Sequence, residues 1–182
     1  MKKILSIIVL AVIIFCVSGC EKKKEPFPKI TEGEFPFVLE YEIGGQRYLI
    51  EDTVVCKFSG HDLSNPFPFL DYSRTWDSKL KSGNEDKRVL IEFDANTESQ
   101  FVKDRINIDS RAILYYGSGG YYLGDPDEAE RGPCIRYVER YRISENGSSV
   151  ESVKLSFNQL EKCFGIKIIR FEFSEPIKNT FK

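Results

Sequence analysis

Residues 35–43 read Phe-Pro-Phe-Val-Leu-Glu-Tyr-Glu-Ile, with apolar side chains recurring at alternate positions. That period of two belongs to an extended strand with one buried face. It returns in QRYLIEDTVVCKF (46–58), RVLIEFD (88–94), RAILYY (111–116), CIRYVERYRIS (134–144), SVESVKLSF (149–157) and IKIIRFEF (166–173). Gly44-Gly45 separates the first two runs as a tight hairpin turn would. No full-length helices alternate with these runs, as a βαβ architecture would require. The reading is a mainly β chain, an antiparallel β-sandwich or open barrel with one or two short helices; an α+β fold with one packed helix is the alternative.

Finer expectations follow from spacing. Trp76 and Leu80 lie four apart, which predicts a short helix from Ser73 to Lys81 inside the long excursion 59–87. Thr97-Glu98-Ser99-Gln100 matches a capping box, and Asn158 with Glu161 marks a second helix start, with Gly165 as its stop. Asn146-Gly147 signals a hairpin between 134–144 and 149–157. Parity demands an odd loop with a bulge, setting Tyr141 against Val153 and Tyr137 against Phe157, and leaving Arg136, Arg140 and Arg142 on the opposite face. Ile169, Phe171 and Phe173 share one face of the last strand, and 177–182 reads as a loose tail.

The start of the chain carries a different signal. Lys2 and Lys3 precede a roughly dozen-residue apolar run from Ile4 to Phe15, too short for the ~20 residues of a spanning helix. The run ends Val17-Ser18-Gly19-Cys20 and meets the charged Glu21-Lys22-Lys23-Lys24-Glu25. This resembles the signal peptide and lipobox of bacterial prolipoproteins. The resemblance, which covers residues 1–20 alone, implies removal of residues 1–19 and acylation of Cys20, with palmitate-type chains holding the protein to the outside of a cell membrane. Two or more chains at ~0.8 kcal/mol per buried CH₂ anchor firmly, and each nearby lysine adds about 1 kcal/mol at an anionic surface. The organisation expected is a lipidated tether over 20–33, one β-rich domain over 34–176 and the tail.

Charge narrows the partners. Taking two lysines from the 26 Lys and Arg leaves 24 against 28 Asp and Glu, a net charge of −4. Nucleic acid needs a basic footprint that this balance lacks. Of five cysteines, Cys16 leaves with the signal and Cys20 takes lipid. Cys56 alternates with Val54 and Phe58 and points inward as a free thiol; Cys134–Cys163 is the candidate disulfide.

No residue set points to catalysis, a cofactor or a metal. His61 sits in Ser59-Gly60-His61-Asp62, but triads form across a fold and not among loop neighbours. Asp125-Pro126-Asp127-Glu128-Ala129-Glu130 gathers carboxylates without the glycine and distal glutamate of a calcium loop. Gly117-Ser118-Gly119-Gly120 lacks the Lys-Ser/Thr and helix of a phosphate loop, and reads as a mobile hairpin tip. The aromatic residues Phe67, Phe69, Tyr72, Trp76, Tyr116, Tyr121 and Tyr122 form the candidate binding surface, against the alternative that they plug the end of the sandwich. A binding face requires Trp76 and one of Tyr121 or Tyr122 to be more than about a third exposed. The function expected is a non-catalytic interaction module at the cell envelope, its partner an envelope or secreted protein or a polysaccharide. An inhibitor or protective lipoprotein facing a secreted enzyme is the alternative, and an envelope hydrolase a third.

Overall fold

The computed structural model describes residues 26–62, 64, 73–84, 88–93, 107–144 and 147–182. Cys20, Phe67, Phe69, Tyr72, the Thr97–Gln100 capping box and Asn146 lie outside the described residues. Within them run β1 (Glu32–Ile43), β2 (Gln46–His61), β3 (Arg74–Leu80), β4 (Val89–Phe93), β5 (Asn107–Tyr115), β6 (Cys134–Ser144), β7 (Gly147–Leu155) and β8 (Ile166–Phe173). Two short α-helices, α1 (Gly119–Tyr122) and α2 (Phe157–Phe164), and a 3₁₀ turn at Pro126–Glu128 complete the described elements. The strands make two antiparallel four-stranded sheets, ordered β3-β2-β1-β8 and β4-β5-β6-β7, that do not close into a barrel.

One core fills the space between the sheets. Phe35, Phe37 and Leu39 of β1, Val54 and Cys56 of β2 and Leu80 of β3 meet Ala112 and Leu114 of β5, Ile135 of β6 and Leu160 of α2. Burying each large aliphatic side chain here stabilises the fold by ~1.5–3 kcal/mol. The β1–β2 register follows from the turn. Gly44 and Gly45 have φ of +58° and +82°, the two-residue turn whose twist suits a hairpin, so Leu39 faces Ile50 and Phe35 faces Val54.

Four local expectations are corrected. Residues 74–80 form β3 and no helix: Trp76 pairs with Phe58 and Leu80 with Val54. Positions four apart share a face in a strand as they do in a helix. In β8 the register shifts between Arg170 and Ile168, so Ile169 is a bulge residue, and Ile166, Ile168, Phe171 and Phe173 are the ones opposite inward residues of β1. The β6–β7 hairpin keeps the expected parity but a tighter loop, pairing Tyr137 with Val153 and Tyr141 with Ser149. Phe157 is thereby left to open α2. That helix is capped two residues early, by Ser156 and Gln159 in a reciprocal capping box, and stops at Gly165 in the left-handed region.

The tail is not loose. Ile177 N donates to Tyr122 O at 2.9 Å, and Phe27 and Lys182 exchange two 2.8 Å backbone hydrogen bonds. Asn179 Nδ2 donates to Ile30 O and Leu123 O, both at 2.8 Å, while its Oδ1 accepts from Ile30 N at 3.0 Å. The side chain thus clips three segments together. Residues 26–31, assigned by sequence to the tether, belong to this folded end, as Pro28 bridges to Phe181.

Candidate functional site

Of the aromatic residues expected at a surface, the four described ones, Trp76, Tyr116, Tyr121 and Tyr122, pack together at one end of the sandwich. Tyr122 is fully buried, stacks on Phe35 at 4.7 Å and donates its hydroxyl to Tyr116 O at 2.7 Å. Tyr116 is buried, and Trp76 and Tyr121 are half-buried. The exposure a binding platform requires is not met, and Tyr116 and Tyr122 are interior residues. Nor is the Gly-Ser-Gly-Gly stretch a hairpin tip: Ser118 Oγ accepts from Tyr121 N at 3.0 Å and starts α1. A Cβ on Gly119 would lie 2.5 Å from Asp77 O, so α1 packs backbone-to-backbone on β3.

The acidic loop is committed to the same end. Arg74 donates through Nε to Asp125 Oδ2 at 2.8 Å and through Nη2 to Asp125 Oδ1 and Asp127 Oδ2, each at 2.7 Å. Trp76 Nε1 adds a 2.7 Å bond to Asp125 Oδ2, and Asp127 N a 3.1 Å bond to Oδ1. Each oxygen of Asp125 therefore accepts twice. Burial pushes the Asp125 carboxyl up, but the hydrogen bonds from Arg74, Asp127 N–H and Trp76, with the Arg74 charge, hold it below the ordinary 3.8. The Arg74 guanidinium lies over the Phe181 ring at 4.6 Å. Such a carboxylate is a structural anchor without lone pairs left for a cation or a proton shuttle.

His61 packs edge-on to Phe27 at 4.8 Å and Phe58 at 5.6 Å between ring centroids, while Ser59 bonds Thr75 and Asp62 accepts from Ser64. The expected inward thiol is there: Cys56 is fully buried, and burial pushes it up to about 12. Cys134 is buried and Cys163 exposed, both free thiols, so the candidate disulfide is not formed.

A second candidate surface is the outward face of the second sheet, to which the aromatic residues give no pointer. Strand parity places Arg111 of β5, Arg136, Arg140 and Arg142 of β6 and Lys154 of β7 on it, with Glu92 and Asp109 as its acids. Arg140 is paired with Asp109. Arg136 stands directly across the ladder from Lys154, an arrangement that costs stability in a sheet. It leans aside: Nη1 donates to Ser152 Oγ at 3.5 Å, and the guanidinium lies 5.4 Å from the Tyr115 ring centre. Arg131, ion-paired with Glu128 at 3.1 Å, reaches the same place. Burial pushes the Tyr115 phenol up, the Arg131 and Arg136 charges pull against it, and the Glu128 carboxylate adds to the rise. Tyr115, Arg131, Arg136 and Lys154 line a cleft of about 280 Å³ together with one carboxylate, Glu130, so three cations there outnumber a single acid.

A larger trough, about 680 Å³, crosses the outward face of the first sheet between Glu32, Glu34, Lys57, Asp77 and Lys79. Its charges alternate in sign across the ladders, with Lys57 flanked by Glu32 on one side and Asp77 on the other. Size alone does not make it the site; the smaller cleft is the one that sets two like charges, Arg136 and Lys154, directly across a ladder from each other. The three arginines of β6 were legible in the sequence as a face, whereas Arg131 and Lys154 join them only through loop geometry and register.

No family model, curated protein or solved structure matches this chain.

Proposed function

We propose that this protein is a lipid-anchored, non-catalytic binding module of the cell envelope, held by Cys20 and presenting the outward face of its second sheet to an anionic partner. The observation that carries the reading is the direct opposition of Arg136 and Lys154 beside Arg131. Like charges on neighbouring strands repel when the face is bare and are relieved when an anion lies between them. Asp125 and the described aromatic residues Trp76, Tyr116 and Tyr122 are engaged in holding the fold, which supports this face as the contact region. An anionic envelope polysaccharide is the partner whose chemistry fits a shallow cationic sheet.

The test has two parts. Cys20→Ala releases the protein from membranes; retention without lipid incorporation removes the anchor from the reading. The full chain in neutral-lipid nanodiscs binds dextran sulfate with an affinity that falls steeply with salt, and Arg136→Glu abolishes it. Binding indifferent to salt and to Arg136→Glu overturns the assignment of this face.

A further inference from the structure

The cationic cleft has an apolar neighbour. A second cleft of about 350 Å³ begins where it stops, and the two share Cys134 and Lys154. The second is apolar: Leu155, Phe157 and Phe171 line it. It lies where the edge strand of one sheet, β7, comes to the edge strand of the other, β8, on a side of the sandwich that stays open. Phe157, the residue sequence parity placed opposite Tyr137, instead sits here at 47% exposure with its ring centre 5.2 Å from that of Phe171. Val153 of β7 is also exposed.

Resting on the reading above, the geometry points to a single-chain amphiphile with an anionic head as the ligand of this site, taken as one molecule from solution. The head, a phosphate or a carboxylate, is held by Lys154, Arg136 and Arg131. The apolar chain lies along Leu155, Phe157 and Phe171 at the open side of the sandwich. Both halves are needed to explain the arrangement. An anion alone gives no reason for an exposed phenylalanine beside the cations, and an apolar ligand alone gives no reason for a like-charged pair at the mouth. Lys154 lines both clefts, and a lysine is the side chain able to lay an aliphatic stem on an apolar surface while its ammonium meets a charge.

The test is calorimetric titration of the full chain in phosphatidylcholine nanodiscs, with empty discs subtracted, using inorganic phosphate, butyl phosphate, hexyl phosphate and hexanol. Hexyl phosphate binds one to one and about tenfold tighter than butyl phosphate, the gain expected for two further buried methylenes. It also binds at least ~tenfold tighter than hexanol, given a charge-assisted contact to the head. Phe157→Asn flattens the dependence on chain length, Lys154→Gln removes the preference for phosphate over alcohol, and Leu49→Asn, a still more exposed apolar residue of the other sheet, changes neither. If hexyl phosphate binds no better than inorganic phosphate while dextran sulfate still binds, the apolar half is no site and the inference falls alone. If neither the phosphates nor dextran sulfate bind, the anionic-partner reading falls and takes the inference with it. Displacement of hexyl phosphate by discs containing phosphatidylglycerol makes the cleft a bilayer-docking surface and overturns the one-molecule assignment.

Discussion

Arg136 and Lys154 face each other across the β6–β7 ladder on the outward side of the second sheet. Reversing one of these charges separates fold from function. Lys154→Glu turns a repulsive cross-strand pair into an attractive one, raising stability by a few tenths to about 1 kcal/mol at low salt. The same change abolishes dextran sulfate binding. Urea denaturation at about 20 mM and 500 mM salt checks the first half, since screening erases the gain at the higher concentration. A variant both less stable and weaker in binding means that Lys154 has a structural partner instead.

The Arg74–Asp125 pair makes the opposite prediction. Both side chains are nearly buried, at 6% and 2% exposure, and removing one charge strands the other. Asp125→Ala costs ~3–5 kcal/mol, the usual loss on breaking a buried pair.

The same carboxylate sets part of the acid limit. Its folded value lies below the ordinary 3.8, so it contributes stability that is fully present above the unfolded value. That contribution is lost as pH falls from there through the folded value. Stability measured by denaturation between pH 7 and pH 2 shows a loss beginning near pH 4, and Asp125→Asn, less stable throughout, shows a shallower one. Parallel curves for the two proteins rule Asp125 out as a source of the acid limb.

Gly124 tests the attachment of residues 177–182. It has φ of +71°, and a Cβ there would come 2.2 Å from Ile177 O. Gly124→Ala combines left-handed strain with a backbone collision and costs about 2–4 kcal/mol. It also frees the segment, so trypsin cuts after Lys178 faster than in the parent. An unchanged cleavage rate places the hold on this segment elsewhere, in Asn179.

Thiol chemistry distinguishes the three cysteines beyond residue 25. Cys163 is exposed, whereas Cys134 and Cys56 are buried. With the Cys56 thiol pushed up to about 12, its thiolate fraction at pH 8 is on the order of 10⁻⁴. A thiol reagent on the native protein gives one fast equivalent that Cys163→Ser removes, and two more on denaturation. A second fast equivalent in the native protein contradicts the burial of Cys134.

What could be read from the chain depended on whether a local rule had one solution. Gly44-Gly45 between alternating runs has one, and the β1–β2 hairpin follows it residue for residue. Trp76 and Leu80 did not: a spacing of four satisfies strand and helix alike, and pairing with β2 decided for the strand. Ser156-x-x-Gln159 and Asn158-x-x-Glu161 are capping signals two residues apart, and the fold took the first because β7 ends at Leu155. The bulge at Ile169 left no mark in composition, yet it changes which side chains of β8 reach the core. The burial of Tyr116 and Tyr122 and the anchoring of Trp76 leave no local mark, because Asp125, the polar partner of Trp76, lies 49 positions away. The cationic cleft depends on the β6–β7 register and on the path of the loop holding Arg131, and neither is a local property.

The place of β8 beside β1 bears on how the protein comes to be folded. Phe37 pairs with Phe173, 136 positions later in the chain, so the first strand's outer edge waits for the last strand. At roughly 5–20 residues per second, synthesis of the intervening chain takes about 7–27 s. During that time β1 and β2 offer an unpaired edge, the kind of surface that invites aggregation. Loop closure over so long a span also makes sheet completion a slow, late event. A fold that closes its last strand onto its first is completed only when nearly all of it has been made.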